Sequence, residues 1–209
     1  ETDLFYHRMG GEYDTTYTEG YKKAIDIFNE ILSQADEIND KYWLVRAIYN
    51  LGKVYDHSNQ YSKALEYFTR SFEYSKDIGD NNNMIESAHH LAGVYDMLDN
   101  YDKSFEYNEL TYKLAMEIQD KENMAKSLNN IGYLYAKIDE YDKAMDFLKR
   151  SLKIEEEHGE RFHIANSIRF IGKLYFDMNN YTESLNYYKR FLKIKEEIGD
   201  KNGIALATT

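Results

Sequence analysis

Few side chains in this 209-residue chain stand in arrangements that could do chemistry, and those that do point to recognition. Asn50, His90, Asn130 and Phe170 recur at steps of 40 residues. An amide carries a donor and an acceptor together, so a row of them along a groove can hydrogen-bond the main chain of an extended peptide whatever its sequence. His57, His89 and His90 could converge on a metal ion, but imidazoles on a polar helix face are ordinarily just polar, and neither metal nor cofactor is expected. The run Glu155-Glu156-Glu157 is expected to be a solvated helix end, with His158 beside it partly buried. No Ser-His-Asp order, phosphate-cradling glycine loop or metalloprotease helix motif occurs, and the chain has no cysteine to act as nucleophile. No catalytic residue is assigned, and the chain is expected not to be an enzyme.

Residues that recur in step need elements that recur with them. Tyr21, Tyr61, Tyr101, Tyr141 and Tyr181 are spaced 40 residues apart, each followed three positions later by Ala24, Ala64, Ser104, Ala144 or Ser184. Gly52, Ala92, Gly132 and Gly172 form a second series, each followed after three residues by Tyr55, Tyr95, Tyr135 or Tyr175. A fixed period of roughly 20 to 50 residues marks a stacked array, in which no unit buries its apolar face alone. Apolar residues at Val45, Ile48, Leu51 and Tyr55, and again at Tyr61, Ala64, Leu65, Phe68 and Phe72, follow three- and four-residue steps, so each unit holds two amphipathic helices. With no proline in the chain, turn chemistry falls to other residues. Asn59, Asp99, Asp139 and Asn179 suit a left-handed turn inside the unit; Gly79, Gly199 and Asn39 suit one between units, where Asp40, Asp80 and Asp200 can cap the next helix. The recurring tyrosines are expected to be packing core, with buried rings and hydroxyls that reach a polar partner.

These columns resemble the tetratricopeptide repeat family in its variety of about forty residues per unit. The second unit meets the pattern with Gly52, Tyr55, Ala64, Phe68 and Ser71, the fourth with Gly132, Tyr135, Ala144, Leu148 and Ser151, and the fifth with Gly172, Tyr175, Ser184, Tyr188 and Phe191. The chain departs from it in lacking the family's frequent proline and in its first unit, where Gly10, Gly11 and the run from Asp14 to Gly20 fit only with a two-residue insertion. Adjacent glycines at Gly10 and Gly11 predict a frayed opening helix. The resemblance implies an all-α, right-handed superhelical solenoid of antiparallel helix pairs, with five units and the start of a sixth. Residues 1–209 are expected to form a single repeat domain, with units at about 1–39 (degenerate), 40–79, 80–119, 120–159 and 160–199, and a partial one at 200–209.

In that geometry the first helix of each unit lines a concave groove. The second unit then offers Arg46, Tyr49, Asn50, Lys53, Asp56 and His57, and the third Glu86, His89, His90, Gly93, Asp96 and Met97. The fourth offers Lys126, Asn129, Asn130, Tyr133, Ala136 and Lys137, and the fifth Asn166, Arg169, Phe170, Lys173, Phe176 and Asp177. The column Asn50, His90, Asn130 and Phe170 is similar to the asparagine ladder of kinesin light chains and the related cell-polarity adaptors, which implies peptide binding. Charge points the same way. The chain carries −11 overall, yet residues 41–57, 81–97, 121–137 and 161–177 hold nine Lys or Arg against five acids, which leaves −15 elsewhere. A neutral to mildly basic groove inside an acidic exterior suits an acidic or neutral peptide. The Lys and Asn positions do not reproduce the carboxylate clamp of chaperone-binding relatives.

Overall acidity without a basic stripe argues against nucleic acid, and no apolar run is long enough to cross a bilayer, so no membrane partner is expected. Absence of cysteine favours a reducing compartment, and a cytoplasmic location is expected. Lys201-Asn202-Gly203-Ile204-Ala205-Leu206 copies the opening of another first helix, which reads as part of a larger protein or as an end that self-associates. The expected function is a non-enzymatic interaction scaffold that binds a partner's peptide in its groove, as a regulatory module of a larger protein. Two alternatives stand beside it: a peptide-pheromone or ligand-sensing region that switches an attached effector domain, and a self-associating structural module.

Overall fold

The computed structural model describes residues 15–158 and 161–199. Expectations that fall on Gly10, Gly11, Asp200 and the copied helix start at 201–206 lie outside these residues. The described residues fold into α-helices joined by short turns: α1 (Thr15–Glu37), α2 (Lys41–His57), α3 (Tyr61–Ile78), α4 (Asn81–Met97), α5 (Tyr101–Glu117), α6 (Lys121–Lys137), α7 (Tyr141–His158), α8 (Arg161–Asp177) and α9 (Tyr181–Glu197). They fall into two compact units divided after Asn100, the first holding α1 to α4 and the second α5 to α9. Within each unit every helix packs on the next, and first helices of successive repeats also touch, α2 with α4 and α6 with α8.

Small residues decide how closely these helices cross. A Cβ on Gly52 would stand 2.7 Å from the Phe68 ring, and one on Gly132 would stand 2.8 Å from Leu148 and 3.1 Å from the Ala144 carbonyl. The two glycines therefore make room for the large side chain that the following helix presses against them, with Ala64 and Ala144 completing each buried crossing.

Turns follow the expected chemistry. Asn39, Asn59, Asp99, Asp139 and Asn179 all have φ between 54° and 61°, and Gly79 and Gly199 have φ of 71°. Gln119 joins them at 58°, although glutamine has no special tolerance for that region. Asp40 caps α2 by accepting from the Tyr42 and Trp43 amides at 3.1 and 3.2 Å. Asp80 caps α4 through the Asn83 amide and Asp120 caps α6 through the Asn123 amide, both at 3.1 Å.

The recurring tyrosines are placed differently from the expectation of a buried core. Tyr21, Tyr61, Tyr101 and Tyr141 are only half-buried, and Tyr181 is exposed. Helices α3, α5, α7 and α9 each begin on one of them, and three hydroxyls turn back to the left-handed residue two positions earlier: Tyr61 donates to Asn59 Oδ1 at 2.9 Å, Tyr141 to Asp139 at 2.7 Å and Tyr181 to Asn179 at 2.8 Å, whereas Tyr21 lies inside α1 and donates to the His57 carbonyl at 2.8 Å. Their recurrence therefore serves the turn. Core packing falls to residues such as Phe68, Ile85, Leu128, Leu148 and Ile168.

Candidate functional site

In the first unit, α2 and α4 carry the candidate residues. Arg46 and His57 are exposed, while Asn50, Lys53, Asp56, Glu86, His89 and His90 are half-buried. Tyr49 is buried, its hydroxyl donating to Glu86 Oε2 at 3.1 Å. Burial first, and the neighbouring Glu86 charge second, hold its phenol well above the usual tyrosine range, so Tyr49 acts as a neutral donor. His90 lies flat on Phe68 with ring centres 4.8 Å apart, and its Nδ1 stands 3.9 Å from Asp56. Asn50 turns its Nδ2 onto the Arg46 carbonyl of its own helix at 2.8 Å. One of its two amide hydrogens is thus used within its own helix.

In the second unit, α6 and α8 present the corresponding faces. Asn130 is half-buried and donates to Asn108 Oδ1 on α5 at 3.1 Å. Asn129, one residue earlier, is buried between helices and donates to Ser167 Oγ at 2.6 Å. Lys126 is tied to Glu122 at 2.6 Å, Asn166 is half-buried, and Arg169 is exposed with its guanidinium 4.7 Å from the Phe170 ring centre.

Four candidates from this unit share one concavity of about 120 Å³, whose wall contains Tyr133, Lys137, Phe170 and Lys173. Ala136, Asp177 and the buried Leu148 and Leu174 complete it. Tyr133 and Phe170 face each other at 5.8 Å between ring centres, with the Lys137 ammonium 5.2 Å from the Tyr133 centre. Lys173 pairs with Asp177 at 2.6 Å, one turn along α8. The space has a cause in the sequence. Leu148 and Phe170 occupy the columns of Phe68 and His90, whose rings stack at 4.8 Å in the first unit, and a leucine in place of that phenylalanine is the smaller side chain.

Glu155 corrects another expectation. Only Glu156 and Glu157 of the acidic run are exposed, whereas Glu155 is 4% exposed on α7. Its Oε1 accepts from Asn129 Nδ2 at 3.4 Å; its Oε2 and Asn129 Oδ1 have no hydrogen-bond partner. Burial pushes its carboxyl up to about 7, with the Glu156 charge adding to the effect and the Ser167 hydroxyl opposing it. His158 is exposed rather than partly buried, 3.8 Å from Glu157. Among the described residues no three His, Cys, Asp or Glu side chains gather to hold a metal ion, and no helix is long and apolar enough to cross a membrane.

Paired helices, close crossings at Gly52 and Gly132, and polar faces on successive first helices define a helical-repeat protein. A tetratricopeptide repeat model matches residues 16–77 and 83–157, and a second matches 170–198, so the chain belongs to the tetratricopeptide repeat family. No curated protein matches its sequence significantly. Among solved structures, aspartyl phosphate phosphatase F from Bacillus subtilis superposes with a TM-score of 0.82 at 15% identity, over 92% of this chain and 52% of that one. A Rap protein complexed with competence and sporulation factor gives 0.78 at 16% identity, over 91% and 53%. The nearly identical repeats of a Podosopora anserina kinesin light chain-like protein give 0.69 at 14% identity, over 88% and 91%. The chain therefore spans about half the length of the first two, and at these identities the likeness establishes the fold.

Proposed function

We propose that this chain is a non-enzymatic scaffold that binds a peptide segment of a partner along the first helices of its repeats. The concavity framed by Tyr133, Lys137, Phe170 and Lys173 carries the proposal. An apolar cavity of about 150 Å³ holds benzene, so one of about 120 Å³ takes a single aliphatic side chain. Lys137, Arg169 and Lys173 around it favour an acidic residue next to that anchor, which would compete with Asp177 for Lys173. In the second unit Asn130 contributes a main-chain hydrogen bond once a peptide displaces its present contact; the first unit, taken by itself, offers Asn50, Lys53 and His90 as a polar face of the same kind.

The 40-residue register runs unbroken through Asn100 and Tyr101, which supports treating residues 1–209 as one repeat domain. The proposal places it in the cytoplasm with a protein partner, and gives nucleic acid and membranes no part. The second reading is a sensor region that switches an attached effector. It draws on the Rap protein complexed with competence and sporulation factor and on a signal transduction ATPase described as having a tetratricopeptide repeat sensor, which matches with a TM-score of 0.77. Self-association is the third, and sedimentation at several concentrations separates it. Peptide display against the folded chain tests the main reading: selected sequences should carry an aliphatic residue flanked by Asp or Glu and lose affinity with Phe170→Ala. Selection of basic sequences, or binding indifferent to Phe170, would sink it.

A further inference from the structure

A second cavity, of about 210 Å³, lies in the same compact unit but shares no lining residue with the one at Tyr133 and Phe170. It is formed by the start of α6, the end of α7 and the start of α8. Ala125 and Ile154 supply apolar wall, and Glu155 supplies a carboxyl more than nine-tenths buried. Glu122, the other acid in the wall, is already matched by Lys126 at 2.6 Å and by His163 at 3.6 Å. Glu155 Oε2 is not matched, and neither is Asn129 Oδ1, although the two side chains meet at 3.4 Å through their other polar atoms. Both unmatched atoms are acceptors, and although the Ser167 hydroxyl favours the ionised Glu155, it brings no positive charge to the corner.

We propose that this cavity binds a ligand bearing one primary ammonium group on a short apolar stem, with the ammonium seated against Glu155 and the stem against Ala125 and Ile154. An ammonium group has three donors and no acceptor, enough to serve the unmatched Glu155 oxygen and to neutralise the carboxylate. The terminal torsion of a glutamate is broad, so Oε2 turns toward the cavity without a strained rotamer. Burial, which raises the Glu155 carboxyl to about 7, is the same desolvation that makes an ionised Glu155 demand a cation. Lys121 in the wall discriminates against a second positive charge, which sets a monoamine above a polyamine.

The test is a nitrogen-15 NMR titration of the intact chain at pH 8 with n-butylammonium chloride, with tetramethylammonium chloride at equal ionic strength as the control that has no N–H donor. The proposal expects saturable shifts confined to the start of α6, the end of α7 and the start of α8, absent with tetramethylammonium. Loss of a charged hydrogen-bond partner in Glu155→Gln should weaken binding roughly tenfold or more. A second variant, Ile154→Trp, fills the cavity and leaves the carboxyl in place, and should also abolish the shifts. Nα-acetyl-lysine methylamide separates the source of the amine: binding equal to butylammonium indicates a partner's lysine, and binding of butylammonium alone indicates a free small amine. No saturable shift, equal shifts with tetramethylammonium, or full affinity in folded Glu155→Gln overturns the proposal and leaves the corner to buried water.

Discussion

Replacing Glu155 by Gln should make the protein more stable at pH 8 and leave it nearly unchanged at pH 4.5. The carboxyl titrates near 7 in the folded chain against 4.5 as its ordinary value, because it is buried among α6, α7 and α8. Below the ordinary value both folded and unfolded chains carry the proton, and burial costs nothing in charge. Between the two values the unfolded chain ionises while the folded one does not, so stability falls as pH rises. Above about 7 both are ionised and the full cost is present. The sign is thus opposite to that of a salt-bridged carboxylate, which loses stability as pH falls. The gap between 4.5 and about 7 corresponds to about 3 kcal/mol, which glutamine, isosteric and uncharged, should recover. For a chain of this size that is a rise in Tm of roughly 6 to 12 °C at pH 8. Thermal unfolding of both proteins at pH 4.5, 6, 7 and 8 reads it directly, since every other titrating group is common to both and cancels in the difference. A difference that does not vary with pH, or a Gln variant less stable at pH 8, would refute the reasoning.

Two backbone predictions separate packing from propensity. Gly132→Ala puts a methyl 2.8 Å from Leu148 and 3.1 Å from the Ala144 carbonyl and should destabilise by about 1–2 kcal/mol despite the better helix former, whereas Gly93→Ala, with nothing within 4 Å, should stabilise by about 0.5–1 kcal/mol. Urea unfolding of both variants checks the pair. Gln119→Gly relieves a left-handed φ of 58° and should stabilise by about 0.5–1 kcal/mol in the same assay, the gain being held down by the greater freedom of an unfolded glycine.

Much of the fold was legible because packing repeats. Gly52 and Gly132 announce close helix crossings, and Asn59, Asp139 and Gly79 announce left-handed turns, since few other residue types satisfy those demands cheaply. Gln119 was not legible, because its neighbours impose a conformation its own chemistry does not favour. The tyrosine column gave the period but hid its role: spacing reports which face a residue is on and says little about depth, and Tyr61, Tyr141 and Tyr181 use their hydroxyls on the preceding turn. For the candidate site, Tyr133, Lys137, Phe170 and Lys173 stand on α6 and α8, and the structure brings them around one cavity. Asn129 and Asn130 show the limit, because one residue turns a helix by about 100°, enough to carry Asn129 into the interior. Glu155 was missed by being taken with its neighbours in sequence. Down its own 40-residue column stand Ala35, Ser75, Ala115 and Lys195, all buried, and a carboxylate among them was the available signal.

The central claim is that the face of α6 and α8 at Tyr133 and Phe170 receives an apolar side chain beside an acidic one. Isothermal titration of a display-selected peptide measures it most directly, against the parent chain, Phe170→Ala and Lys137→Glu. The account predicts loss of roughly tenfold or more in affinity for each variant, with the Lys137→Glu effect shrinking as salt is raised. Unchanged affinity in both variants, with the same peptide still bound, would contradict it.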